Sequence, residues 1–347
     1  MVTTTATAHN PMPELLRRLE RFGFPERYVR GIGLPNWWDD EIATTPLGKA
    51  QALILLSRNL GLELTSLESD SAPIQPLDPG NVLPKKRRDA SDEALVPTRC
   101  VAARLARLAR DATATVSGDL PRSAAEVRSA VLACGSGCVD LPSLLSYCWE
   151  IGIPVSQLAT LPPGGSKLDG LCAAISDGDG AFSIVLSNKR RFFSWLLFIL
   201  AHELGHAVLG HLTAGSILFD DAVESRDAEA CETAANDFAV EVLTGRPDTQ
   251  ITRRRVPKAP ELVERAREAG LRHGVDPGAI VLNYVYHLNK TALSRRSYWP
   301  LAFSALGILD PNGNAPALVS SEMRGRLDWT HFTEETGEFV RRVSSVD

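Results

Sequence analysis

FFSWLLFILAHELGHAVLGH, residues 192–211, is the stretch on which the fold of this chain turns. Its first half is a run of apolar side chains, and the whole segment approaches the length of a membrane span. Its second half carries His202, Glu203 and His206, whose burial without partners would be costly. The segment can be a membrane helix, a core helix that satisfies three awkward residues, or a helix built to hold a metal ion. An intramembrane protease would need several such segments, and only this one comes near the length, with ordinary amphipathic helices after it. That leaves a buried helix in a globular core.

Within it, His202-Glu203-Leu204-Gly205-His206 is an HExxH motif. Residues four apart on an α-helix differ by about 40° in azimuth, so His202 and His206 share a face and can bind one zinc ion. Glu203 projects to the neighbouring side, where it serves as a general base rather than a ligand. Histidine is scarce here, 7 in 347 residues, which makes this spacing informative. Two satisfied core histidines are the bland alternative, but facing buried imidazoles still need a partner.

A zinc site needs a third protein ligand. An HExxHxxGxxH pattern would place Gly at 209 and His at 212, where the chain has Leu209 and Leu212. On a continuing helix His211 lies about 180° from His202, so it is expected as a surface or helix-end histidine. The stretch EACETAANDFA, residues 229–239, offers more. Glu232 and Asn236 share one helical face, beside Ala235 and Ala239, which are small enough for close helix packing. Glu232 would complete a His2Glu set, in preference to Glu229 one turn earlier, which lacks the small neighbours downstream. Asn236 could then hydrogen-bond the distal nitrogen of a ligating histidine, His202 being the expected one.

These residues resemble the ImmA/IrrE family of zinc metallopeptidases. The resemblance rests on FILAHELGHAVLGH, on ETAANDFAVEVL and on IVLSNKRR before the helix, and it covers roughly residues 120–290. It implies Zn2+ held by His202, His206 and Glu232, with Glu203 as catalytic base. It also implies a protein substrate, commonly a helix-turn-helix transcriptional repressor in a stress or mobile-element response. Leu243-Thr244-Gly245-Arg246-Pro247 departs from the family's usual continuation, and AREAGLRHGVDPGAIVLNYV looks like the helix-turn-helix-like stretch that often follows. The alternative is a DNA-binding transcription regulator that keeps the zinc fold as a sensor.

The remaining chain sets the frame. Hydrophobic content of 44%, charged content of 23% and a net charge of −5 suit a globular protein and leave no footprint of a dedicated nucleic-acid binder. Six scattered cysteines form no CxxC pairs, and the N-terminus lacks the apolar run of a signal peptide, so a cytoplasmic protein with reduced thiols is expected. Residues 1–65 read as a helical region that could form a degenerate helix-turn-helix, and the Pro-, Ser- and charge-rich stretch 66–97 as a linker. Residues 98–294 read as the metallopeptidase domain, and 295–347 as a weakly patterned tail. Two apolar runs, GLCAAIS and AFSIVLS, are joined by DGDG and predict a hairpin. The fold expected is α+β: mostly helical, with a zincin-like core and a small antiparallel sheet packed on the HExxH helix. The strand at Phe182–Ser187 is expected to offer an edge to an extended substrate. Tyr284, Tyr286 and His287 are the chemical candidates for stabilising an oxyanion.

Overall fold

The computed structural model describes residues 10–78, 90–114, 119–163, 168–175, 181–213, 215–219, 226–246, 255–291 and 297–345. Helices α1 (Met12–Phe22) and α2 (Pro46–Leu60) form the N-terminal part, with α3 (Ala90–Asp111) following. Thr45 caps α2 by accepting from the Gly48 amide, just ahead of Pro46 in the first turn. The stretch 66–97, expected as a linker, instead includes part of a short helix at Leu64–Glu68 and the first turns of α3. Residues 79–89, with most of its charge run, lie outside the described residues. Pro97 sits inside α3 and looks like a breaker in sequence. Its ring packs against Gly23, where a Cβ would lie 2.7 Å from Pro97 Cγ, so tertiary contact overrides local preference.

Helices α4 (Ala124–Ala133) and α5 (Leu141–Glu150) lead into the sheet. The Asp140 side chain accepts from the Ser143 amide and the Ser143 hydroxyl accepts from the Asp140 amide, a reciprocal cap at the start of α5. Strands β1 (Val155–Gln157), β2 (Gly170–Ala174), β3 (Phe182–Leu186) and β4 (Ile217–Phe219) pair in the order β1-β3-β2-β4. β2 and β3 make the expected antiparallel pair, and β4 adds to β2 antiparallel. β1, however, runs parallel to β3, so the sheet is mixed rather than antiparallel. The reason is topological: β2 holds one edge of β3, and β1 reaches the other edge by a crossover. β3 is therefore interior, and the edge expected there for a substrate does not exist. Both β2 and β3 are buried at every position, with α3 and the HExxH helix packed on them, which explains their unbroken apolar runs.

The chain continues through α6 (Phe193–Val208), α7 (Arg226–Thr244), α8 (Ala259–His273), α9 (Pro277–Thr291), α10 (Trp299–Leu309), α11 (Ala315–Arg326) and α12 (Glu334–Ser344). The last three replace the expected unpatterned tail. They belong to the core: α10 packs on α8 and α9, α11 packs on β1, and the Val343 carbonyl accepts from the amides of Ala159 and Thr160. WPLAFSALGIL in α10 is apolar nearly all round, so it shows little amphipathic contrast in sequence. One apolar cluster runs from Met12 to Val343. Among the described residues, no helix is long and apolar enough to cross a membrane.

Two carboxylates fix the first turn of α6, which has no local side-chain cap. Asp310, just after α10, accepts from the Phe193 amide at 3.2 Å. Asp276, ahead of α9, accepts from the Ser194 hydroxyl at 2.7 Å and from the Ala279 amide at 2.8 Å. Both acids complement the partial positive charge of a helix N-terminus. At this junction a Cβ on Gly278 would lie 1.9 Å from Ser194 Oγ and 2.6 Å from Ser194 Cβ. Gly278→Ala is therefore expected to destabilise the fold by about 3 kcal/mol, the upper range for forced overpacking. Denaturant unfolding measures it, and a variant as stable as the parent would show that α6 and α9 can part there at little cost.

Candidate metal centre

The apolar lead-in of α6 and its contact with the sheet bury the HExxH motif: His202, Glu203 and His206 are all buried. α6 also packs along α7. The crossing is close because Gly205 faces Ala235 and Phe238, where an added Cβ would stand 3.4 Å from Ala235 Cα and 3.0 Å from Phe238 Cδ1. That proximity brings Glu232, on the preceding turn of α7, to the two histidines.

The three side chains converge. His202 Nε2 and His206 Nε2 are 3.0 Å apart, and the rings meet edge to face with centroids at 4.7 Å. Glu232 Oε2 lies 3.3 Å from His202 Nε2, and Oε1 lies 3.5 Å from His206 Nε2. One donor atom from each residue falls within 4.8 Å of the others, the single such group of three among the described residues. Two imidazole nitrogens and a carboxylate oxygen are the donor set of an open, three-ligand zinc site. Two imidazole lone pairs cannot face each other at this distance without a cation or proton between them, so the arrangement fits a metal ion. Glu229, the rival to Glu232, is exposed on α7.

Glu203 is not one of these three converging donors. Its carboxylate lies over the backbone of β2, where a Cβ on Gly170 would meet Glu203 Oε1 at 2.5 Å. Burial, with the nearby Glu203 charge adding to it, pushes the Cys172 thiol far above its ordinary value, so this neighbour stays a neutral, inert side chain.

His211 is not where a continuing helix would put it. α6 stops at Val208, and Gly210 takes a left-handed φ of 70°. The Gly210 amide donates to the Ala207 carbonyl at 3.3 Å, and the His211 amide to the His206 carbonyl at 3.1 Å, the two bonds of a Schellman turn. His211 is thereby turned back onto His206, with the two Nδ1 atoms 2.9 Å apart. It lies behind the three-residue group, not in it. The glycine four residues past His206 was the available signal, because glycine is the usual residue at that point of a helix end.

Asn236 lines a cavity of about 360 Å³ beside His202 and Glu232. No hydrogen bond joins it to either histidine of the motif among the described residues, so its expected role on the His202 ring has no geometric support. The apolar wall of that cavity includes Trp195, Phe198, Ile199, Leu282 and Trp299. Trp195, Phe198 and Ile199 precede His202 by seven, four and three residues, a helical stripe legible in the sequence. Trp299, from the C-terminal segment, carried no such signal. Of the three oxyanion candidates, Tyr286 lines the cavity, Tyr284 is buried in the core, and His287 packs edge to face on Tyr286.

Comparison with known families returns the same segment. Residues 197–262 match the model of Peptidase_M78, the IrrE N-terminal-like domain. The match supports an ImmA/IrrE family protein and a metallopeptidase, and it spans under a fifth of the chain. No curated protein matches the chain.

Proposed function

We propose that the chain is a zinc-dependent endopeptidase, with His202, His206 and Glu232 holding the metal and Glu203 acting as general base. The observation that carries this is the convergence of three donors from two helices beside a buried, non-ligating glutamate. Such a set, holding zinc, would supply an acidified water and a polarised carbonyl. Glu203, on the same helix as both histidines, accepts a proton from the attacking water and returns it to the leaving amine. β2 and the sheet behind it hold that carboxylate against backbone, which limits its motion.

The cavity at His202 suits a large apolar side chain of the substrate, walled by Trp195 and Trp299 whose rings meet edge to face at 5.5 Å. β4, which pairs with β2 and with no other strand among the described residues, replaces β3 as the place for main-chain addition. A helix-turn-helix repressor as substrate, in a stress or mobile-element response within the cytoplasm, is what the family resemblance adds.

A DNA-binding regulator gains no support from α8 and α9. A recognition helix presents its first turns to the groove, whereas Gly278–Val285 of α9 are buried without a break. The test is cleavage by the full chain of a peptide library, with and without zinc. Zinc-dependent cuts next to large apolar residues are expected. Trp299→Ala should raise KM for those peptides with zinc content unchanged; a library left uncut by zinc-loaded protein would count against the peptidase.

A further inference from the structure

We propose that His211 is a positioning residue that fixes the ring orientation and tautomer of His206 for metal binding. The inference rests on reading His206 as a ligand through Nε2, the nitrogen that faces His202 and Glu232. An imidazole that gives the lone pair of Nε2 to a metal carries its proton on Nδ1. That proton needs an acceptor, because His206 is fully buried. His211 Nδ1, 2.9 Å away, is in place to be it. The His206 Nδ1–H donates, His211 Nδ1 accepts, and the proton of His211 then resides on Nε2.

The geometry is imposed by the backbone rather than by a chance rotamer. A Schellman turn sets the residue after its glycine against the residue that opens its last turn, most often through an apolar contact. Here those two residues are His211 and His206, and two amide–carbonyl bonds close the turn. Gly210 supplies the left-handed φ of 70°, with no atom within 4 Å of where a Cβ would sit, so its conformation and not its size is what the turn uses. The metal-binding helix thus ends in a device that hands one ligand its hydrogen-bond partner. Partners of this kind orient ligating histidines and raise their basicity, and losing one typically costs tenfold to a hundredfold in metal affinity.

The test separates acceptor from bulk. His211→Asn keeps an oxygen near the place of Nδ1, whereas His211→Phe keeps a ring without an acceptor. Zinc affinity of the full chain is measured by competition with a chromogenic chelator, and the His206 tautomer by 15N NMR of the zinc-loaded protein. His211→Phe is expected to weaken zinc by about tenfold to a hundredfold and to lose the protected Nδ1–H signal. His211→Asn should stay close to the parent in both, with the metal-free unfolding midpoints of all three proteins alike. Parent-like zinc affinity in His211→Phe, or equal losses in both variants, would overturn the proposal while leaving the metal site standing. A parent protein that takes up no zinc would instead remove the metal site itself, and the role of His211 with it.

Discussion

Glu203→Gln is expected to keep zinc at full stoichiometry and to lose peptide cleavage by roughly a hundredfold to ten-thousandfold, the range for removing a general base. The substitution preserves shape, which matters because the carboxylate is packed against the β2 backbone at Gly170 with no room to spare. It removes the capacity to take a proton and leaves the two imidazoles and Glu232 untouched. Gln also removes a buried carboxylate, so no loss of stability is expected from desolvation. Metal analysis on the purified variant and single-turnover cleavage on the same sample give both readings. Cleavage within tenfold of the parent would sink Glu203 as the base, and a simultaneous loss of zinc would place it among the ligands instead.

The site was more legible in the sequence than the architecture around it. HExxH sets two imidazoles on one face by helical geometry alone, because the spacing of four residues is a property of the helix, and both converge with Glu232 in the structure. Glu232 was legible for a different reason: Ala235 and Ala239 announce close packing of α7, and a glutamate on the face beside them is carried into that contact. His211 stands at the helix end and outside the three-donor group, as expected, but its turn back onto His206 follows from Gly210 ending the helix rather than from the azimuth of a continuing one. The direction of β1 could not be read at all, since apolar content specifies burial but not which edge of β3 a strand joins. The same blindness hid α10. Its uniform apolarity removes periodic contrast, yet it supplies Trp299 to the cavity and is followed by Asp310, the cap of α6. Residues outside the segment that matches the peptidase family therefore support the site from two directions.

Glu232→Ala is expected to abolish zinc binding, and Glu229→Ala to leave it intact. The contrast is sharp because the two glutamates share one helix, one charge and nearly the same position in the chain, and differ in the face they occupy. Glu232 Oε2 and Oε1 lie within 3.5 Å of His202 Nε2 and His206 Nε2, while Glu229 is exposed. Without Glu232, the group is reduced to two imidazoles with no carboxylate, too few for a closed hold on the ion. The consequence is visible in folding as well as in metal content. A ligand at a hundred times its Kd stabilises the native state by about 2.7 kcal/mol, so added zinc should raise the unfolding midpoint of the parent and of Glu229→Ala. Glu232→Ala should show no zinc-dependent shift at the same concentration. A zinc-free parent and a zinc-free Glu232→Ala should also differ little, since the variant loses a half-buried carboxylate whose ion-pair contacts among the described residues are with the two histidines it would otherwise join around the ion. Full zinc occupancy in Glu232→Ala would mean that the carboxylate stands beside the site without belonging to it, and the third donor would have to be sought elsewhere on the walls of the cavity.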